Sequence, residues 1–454
     1  MHRDLTTGSI TGTMLRFALP MIAGNLLQQF YNIADTLIVG RYLGVQALAA
    51  VGAAYALMSF LTSILLGLCM GSGAVFSLRF GEKNEKMLKS SMFVSFVLVA
   101  AVALVLNTGV FLFIDPIMYL LCVPVEIYGL MREYLWVIFF GISAVFLYNY
   151  FACLLRAVGN SFIPLVFLGI SALLNVGLDL VFVLVFQWGV AGAGAATVVS
   201  QFVSGIGICL YTFLKMPEFR INRSHMKMDR KVLAEISGFS FLTCVQQSVM
   251  NFGILMVQGL VNSFGAVVMA AFAAAVKIDS FAYMPVQDFG NAFSTFIAQN
   301  YGAGRHDRVE KGIKSAVTAS VLFCLVISFI VCVFARELML IFVKPQETEI
   351  LAVGVQYLRI EGIFYCGIGC LFLLYGLYRA VRKPEMSVVL TVISLGTRVV
   401  LAYILSAVPS IGVVGIWISV PIGWVLADCT GFVYYRMRRE AILGQEYGNR
   451  YGKG

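Results

Sequence analysis

Apolar stretches of roughly 20 residues or more, separated by short polar loops, recur about twelve times along the chain, each long enough to cross ~30 Å of hydrocarbon as a helix. They run at 14–40, 47–78, 91–113, 131–154, 163–186, 190–214, 235–261, 266–298, 313–335, 355–378, 387–408 and 411–435. With no water to satisfy backbone groups at that depth, each stretch must close its own hydrogen bonds as a helix. The pattern therefore predicts an all-α polytopic membrane protein with twelve transmembrane helices.

The pattern also occurs twice. RYLGVQALAAVGAAYALMSF, at Arg41 to Phe60, reads like NSFGAVVMAAFAAAVKIDSF at Asn262 to Phe281; Gly44, Ala49, Ala50 and Phe60 fall on Gly265, Ala270, Ala271 and Phe281, 221 positions later. Gly81 then falls on Gly302, Met118 on Met339 and Pro124 on Pro345, and Arg156-Ala157-Val158 meets Arg379-Ala380-Val381 after a drift of two residues. The one long polar stretch between spans, Lys215 to Glu235, lies at the junction. Two six-helix lobes are expected: 14–214 with spans 1 to 6, a linker at 215–234, 235–436 with spans 7 to 12, and a charged tail at 437–454. Six spans per lobe is an even number, so both lobes enter from the same side as a parallel internal repeat. A duplication of this kind is characteristic of transporters, whose substrate site lies between lobes in alternating access.

Composition agrees with a lipid environment. Hydrophobic residues make up 60% of the chain and charged residues 12%, and the mean hydropathy is +0.90. The 43 glycines suit helices that must approach closely. Of the 32 Lys and Arg residues, twenty-five fall on the side of the N-terminus in a twelve-span count, five on the other (Arg41, Arg132, Arg336, Lys344 and Arg359), and Lys277 and Arg398 within spans. Positive-inside reasoning places both termini in the cytoplasm, in the cell membrane. The net charge of +9 thus reports on topology. Spread over short loops without interleaved aromatics, it gives no reason to expect nucleic acid. No short apolar core with a small-residue cleavage site opens the chain, so the first span is expected to serve as its own insertion signal. The ten cysteines lie almost entirely within spans, with no CxxC; Cys366 and Cys370 share a helix face but have no nearby His or acid, and read as small packing residues. A monomer is expected, with membrane lipid and small molecules as its partners.

Ionisable groups within spans carry the chemistry, because each is costly in lipid unless it faces a cavity or a partner. Asp35 in the first span has Tyr31 one turn earlier on the same face, and in the fifth span Asn175 and Asp179 are also four apart. Thr197 lies in the sixth. Two carboxylates, an amide, a hydroxyl and a phenol make an oxygen-rich set for Na⁺ or for a titrating proton. Capping a broken helix or pairing with a base is the alternative role. Against it, the first half has no mid-span Lys or Arg, and Asp35 and Asp179 correspond to about Met256 and Ala402 in the second half.

The second half carries a different set. Lys277, Asp279, Gln287, Asp288 and Asn291 make the eighth span polar, and Arg398 adds a charge in the eleventh; Lys277 and Asp288, eleven apart, share a helix face. A structural ion pair with Arg398 is one reading. The functional reading makes them candidates to line the substrate cavity, with Gln28 and Phe30 of the first span and Gln246 and Asn251 of the seventh. Glu361 and Asp428 are the remaining acids within spans.

From Arg16 to Arg436 the chain resembles the multidrug and toxic compound extrusion (MATE) family, in its bacterial DNA-damage-inducible type. The resemblance lies in FALPMIAGNLLQQFYNIADTLIVGRYLG followed by ALAAVG, in SLRFGEKNEK, in RAVGN at Arg156, NVGLD at Asn175, GVAGAGAAT, and MPVQDFGNAFSTFIAQNYGAGR at Met284. It implies a V-shaped alternating-access antiporter that exports organic cations or amphipathic compounds against Na⁺ or H⁺, without a cofactor. In that branch the coupling ion sits in the N-terminal lobe, and the matching positions are Tyr31, Asp35, Asn175, Asp179 and Thr197. The other bacterial branch also uses acids of the seventh and tenth spans; here the seventh has Gln246 and Gln247, and Glu361 lies early in the tenth. A lipid-linked oligosaccharide flippase is the rival reading, which would need basic residues in the cavity, and only Lys277 and Arg398 offer themselves. No enzyme motif is present: HExxH is missing, and the three His residues lie in tails or loops.

Overall fold

The computed structural model describes residues 4–121 and 123–442; Arg3, Cys122 and most of the tail at 437–454 lie outside them. Among the described residues the regular structure is helical throughout. The first repeat comprises α1 (Ile10–Tyr42), α2 (Val45–Gly81), α3 (Glu85–Leu112), short α4 (Ile114–Leu120), α5 (Val125–Ile138), α6 (Gly141–Ala157), α7 (Phe162–Asp179) and α8 (Gly189–Lys215). The second answers with α9 (Arg230–Asn262), α10 (Ala266–Gly302), α11 (His306–Val333), short α12 (Ala335–Met339), α13 (Thr348–Ile363), α14 (Tyr365–Ala380), α15 (Pro384–Ser406) and α16 (Val414–Met437) before the single turn of α17 (Arg439–Ile442). α1 and α9 each have 33 residues, α2 and α10 each 37, and α3 and α11 each 28.

Ten of these helices are long and apolar enough to span a membrane, and α5 with α6 and α13 with α14 make up twelve as bent pairs, at 47° and 53°. Continuous fourth and tenth spans, expected from hydropathy, are therefore replaced by broken ones. At both breaks the ladder tightens to three-residue bonds: Phe140 N donates to Val137 O and Ile142 N to Phe139 O, while Phe364 N donates to Glu361 O and Gly367 N to Phe364 O. Hydropathy averages over such a break, because both sides stay apolar. A second irregularity follows α7. At Leu180–Val185 the helix widens into a π turn, with Phe186 N reaching Val181 O. Such turns interrupt helices at functional sites, and this one begins immediately after Asp179.

The chain forms two compact units. One holds Leu19–Phe80 and Asn84–Cys244; the other holds Asp4–Ala18, Gly81–Lys83 and the chain from Val245. The divisions thus fall within α1 and α9 rather than in the polar linker, which carries two short 3₁₀ turns, Pro217–Phe219 and Arg223–His225. Within the first unit, the start of α9 lies against α2 through small residues. A Cβ on Gly67 would meet Cys244 Cα at 2.5 Å, and one on Gly71 would meet Ser240 Cα at 2.5 Å. Ser72 Oγ and Ser240 Oγ hydrogen-bond at 2.9 Å beside this contact. Small residues at four-residue spacing let helix backbones touch where lipid supplies no hydrophobic drive. Gly71→Ala should cost about 1–3 kcal/mol, because backbone cannot yield as a side-chain end can. Gly109→Ala, with nothing within 4 Å of its Cβ, should be neutral or stabilising in the same thermal unfolding assay.

In the second unit the core gathers Phe272, Tyr357 and Trp417, with Phe272 stacked on Trp417 at 5.4 Å and Tyr357 edge-on to it at 4.9 Å. This aromatic floor lies beside Asp279.

Candidate ion site and polar clusters

α1, α5, α7 and α8 bring one polar cluster together inside the first unit. Asp35 and Asp179 are neighbours and feel each other's charge; Asp179 is fully buried and Asn175 is 2% exposed. Asn175 Nδ2 donates to Thr197 Oγ1 at 3.2 Å, and Thr197 Oγ1 donates to Ala193 O, which locks the hydroxyl's proton into its own helix. That leaves acceptors without donors. Both carboxylate oxygens of Asp179, Oδ1 of Asp35 and Oδ1 of Asn175 are buried and receive no hydrogen bond. Leaving several acceptors unsatisfied in an apolar interior costs kilocalories per group, so the arrangement calls for a cation or a proton. Hard oxygen donors at this density suit Na⁺ as well as H⁺.

Tyr31 hydrogen-bonds Gln28 and lies beside Asp35. Tyr134 of α5 also neighbours Asp35, Asp179 and Tyr31, and is 7% exposed. Nothing in the sequence marks Tyr134, which lies in the fourth span, on a helix that carries no other member of the cluster. Gly194 of α8 packs beside it, where a Cβ would stand in ordinary contact with Tyr134 Cδ2 at 3.5 Å.

The expected second-half candidates do not gather in one cluster. Asp279 is 6% exposed and accepts from Tyr365 Oη at 2.7 Å and Tyr357 Oη at 3.4 Å. Glu361, 1% exposed, has Oε1 without a donor; it and Asp279 both feel the charge of Arg398, whose Nε is itself unpartnered. Of the alternative ion-pair reading, Asp279 keeps its link to Arg398, whereas Lys277 is exposed, with its ammonium 5.9 Å from the centre of the Phe342 ring. Sharing a face with Asp288 in sequence was insufficient, because Asp288 is buried while Lys277 points outward. Asn291 accepts from Arg379 Nη2 at 3.0 Å, a contact that ties α10 to α14. Asn251 donates to Gln247 O of its own helix, Gln246 is buried, Gln287 is half-buried and Phe30 is 61% exposed. Among the described residues, no group of three or more His, Cys, Asp or Glu side chains is arranged to hold a metal.

A family model described as MatE matches residues 20–181 and 241–404, well over half of the chain. The chain is similar to the probable multidrug resistance protein YpnP of Bacillus subtilis, 29% identical over 439 residues, with 96% of this chain and 97% of the relative covered. It is also similar to the probable multidrug resistance protein NorM of Thermotoga maritima, 26% identical, covering 95% and 94%. Among solved structures, an outward-facing multidrug resistance MATE family transporter of the MOP superfamily matches with a TM-score of 0.90 at 23% identity, over 97% of this chain and 98% of that one. At that identity the likeness speaks for the fold.

Proposed function

The chain belongs to the MATE family of multi-pass membrane transporters, and from that premise we propose that it is a secondary active exporter of organic cations or amphipathic compounds, driven by inward Na⁺ or H⁺ at Asp35, Asp179, Asn175, Thr197 and Tyr31. The observation that carries this reading is the set of four buried acceptor atoms without donors, contributed by two neighbouring carboxylates and an amide with no base beside them. Nothing in the fold's repeat requires these acids, since the second half has none at the corresponding positions.

The chemistry follows from charge. With no cation bound, two adjacent carboxylates in apolar surroundings repel each other and lack solvation, a state unfavourable by several kilocalories. A proton or a Na⁺ relieves both terms. The relief favours the arrangement in which Asp35 and Asp179 are close, and that arrangement is set by α1, whose ladder is already weakened at Pro20. The two states need differ by only a few kilocalories for ion occupancy to change their populations. Tyr31 and Phe30 offer aromatic faces to a cationic drug, worth about 0.5–2 kcal/mol each. Gln28, Gln246, Asn251, Lys277, Asp279, Gln287, Asp288, Asn291 and Arg398 remain the proposed wall of the substrate cavity. The protein is read as a monomer in the cell membrane with both termini in the cytoplasm, an exporter and not an enzyme. Cysteines introduced at Lys227 and Ser410, both exposed, should then react with an impermeant maleimide from opposite sides of the membrane. Labelling from one side would shift the span count by one. The direct test of function is efflux of ethidium from vesicles holding the purified protein, with only a Na⁺ or only a pH gradient imposed.

A further inference from the structure

The start of the chain is held in an unusual way. Leu5 is fully buried and Thr6 is 7% exposed, although both precede the first helix. Their backbone is gripped by side chains from the corner where α10 ends and α11 begins. Leu5 N donates to Gln299 Oε1 at 3.2 Å, and Leu5 O accepts from Asn300 Nδ2 at 3.2 Å and from Arg308 Nη2 at 3.3 Å. Thr6 O accepts from Arg305 Nη1 at 2.9 Å, Thr7 O from Arg308 Nη2 at 3.2 Å, and Gly8 O from Arg308 Nη1 at 2.9 Å. Arg308 is itself oriented by Asn300 Oδ1, 3.0 Å from its Nε, and lies over the Phe296 ring. The grip extends into the helix, where Thr11 and Ser315 share a hydrogen bond of 2.7 Å and Met14, Phe17 and Ala18 are buried.

Such a dock is ordinary when it holds a helix to the unit that contains it. Here it does not. Asp4–Ala18 belong to the second unit, whereas α1 from Leu19 onward belongs to the first, and Pro20 stands directly after the change. α9 makes the converse crossing, its first turns lying in the first unit with Arg79 paired to Glu235. Of these two crossing helices, α1 is the one that carries an acid of the ion site. Asp35 lies fifteen residues beyond Pro20, about 22 Å along the helix.

We propose that Arg308, with Asn300, Arg305 and Gln299, is a positioning site for transport: it fixes the start of α1 to the second unit, so that movement of α1 on ion binding at Asp35 is delivered to that unit rather than lost in a free helix end. The guanidinium fork is suited to this, because one side chain spans the carbonyls of Leu5, Thr7 and Gly8 in defined directions. The proposal rests on the ion-site reading above.

The test uses full-length protein in vesicles and reads two quantities: gradient-driven ethidium efflux, and cation binding by calorimetric Na⁺ titration and proton uptake. Arg308→Ala should lower efflux about tenfold, within the usual range of a coupling between sites, while cation binding is unchanged. Arg308→Lys should fall between, since a single ammonium nitrogen keeps the charge but lacks the rigid fork that reaches Gly8 through Nη1, Leu5 and Thr7 through Nη2 and Asn300 through Nε. Leu5→Asp puts a charge in the buried seat of Leu5 and should release the captured segment while leaving every residue of the corner in place, reproducing the Arg308→Ala result; it carries the test if that variant does not insert. Wild-type efflux in Arg308→Ala or in Leu5→Asp overturns the proposal, and so does loss of cation binding together with efflux, which would mark a structural fault. Asp35→Asn separates the two readings. It should lose cation binding itself, and if it does not, the ion-site assignment fails while the split between efflux and binding in Arg308→Ala still decides the role of Arg308.

Discussion

Asp35→Asn should leave the protein inserted and folded and should abolish cation-driven efflux. Asparagine keeps the size of the side chain and removes one of two neighbouring charges that lack donors. With no cation present, that removal relieves repulsion, so the melting temperature should hold or rise. With saturating cation, the wild type should gain stability by mass action, about 2.7 kcal/mol at a hundredfold excess over Kd, and the variant should gain none. A melting temperature that responds to Na⁺ or pH in the wild type and is flat in Asp35→Asn is therefore the thermodynamic signature. Asp179→Asn should behave alike, because the charges act as a pair. If Asp35→Asn exports ethidium at the wild-type rate under a gradient, Asp35 is not the coupling carboxylate.

Arg398→Ala should be destabilising, by about 1–3 kcal/mol, because it removes the positive charge that acts on the buried Asp279 and Glu361. Asp279 retains its two tyrosine donors, but Glu361 Oε1 has no donor and both acids feel Arg398. Adding Glu361→Gln to Arg398→Ala should restore much of the loss, a positive coupling between charges that act on each other. The same pair of substitutions separates a drug exporter from a lipid flippase. If Arg398 held a pyrophosphate headgroup, the double variant would fold and remain inactive; if Arg398 balances Asp279 and Glu361, it should fold and export. Lys277→Ala, at an exposed position, should retain resistance to ethidium in cells. Loss of export in the folded double variant and in Lys277→Ala, with Asp179→Asn active, would replace the exporter reading with the flippase.

The spans were legible because hydrocarbon thickness imposes a length that composition alone reports, and the repeat because the two halves keep glycines and prolines at matching turns. The pairs Tyr31 with Asp35 and Asn175 with Asp179 were legible for a local reason, their one-turn spacing. Tyr134 was not: it meets Asp35 and Asp179 by tertiary packing on a different helix. The breaks at Phe139–Phe140 and at Phe364 escaped hydropathy because they change hydrogen-bond geometry and leave polarity untouched. The acids of the second half show the limit of face arithmetic. Lys277 and Asp288 share a nominal face, yet α10 has Pro285 between them, and the one side chain turns outward while the other is buried. Nor could sequence show that the start of α1 is held by the second unit, since five backbone groups received by Gln299, Asn300, Arg305 and Arg308 leave no periodic trace.

The most direct test of cation-coupled export through Asp35 and Asp179 is ethidium efflux from proteoliposomes, with Na⁺ and pH gradients imposed one at a time on wild type and on Asp179→Asn. The account predicts that at least one inward cation gradient accelerates efflux in the wild type, that collapsing it abolishes the acceleration, and that Asp179→Asn responds to neither. Efflux independent of both gradients, or an unimpaired response in Asp179→Asn, would contradict it.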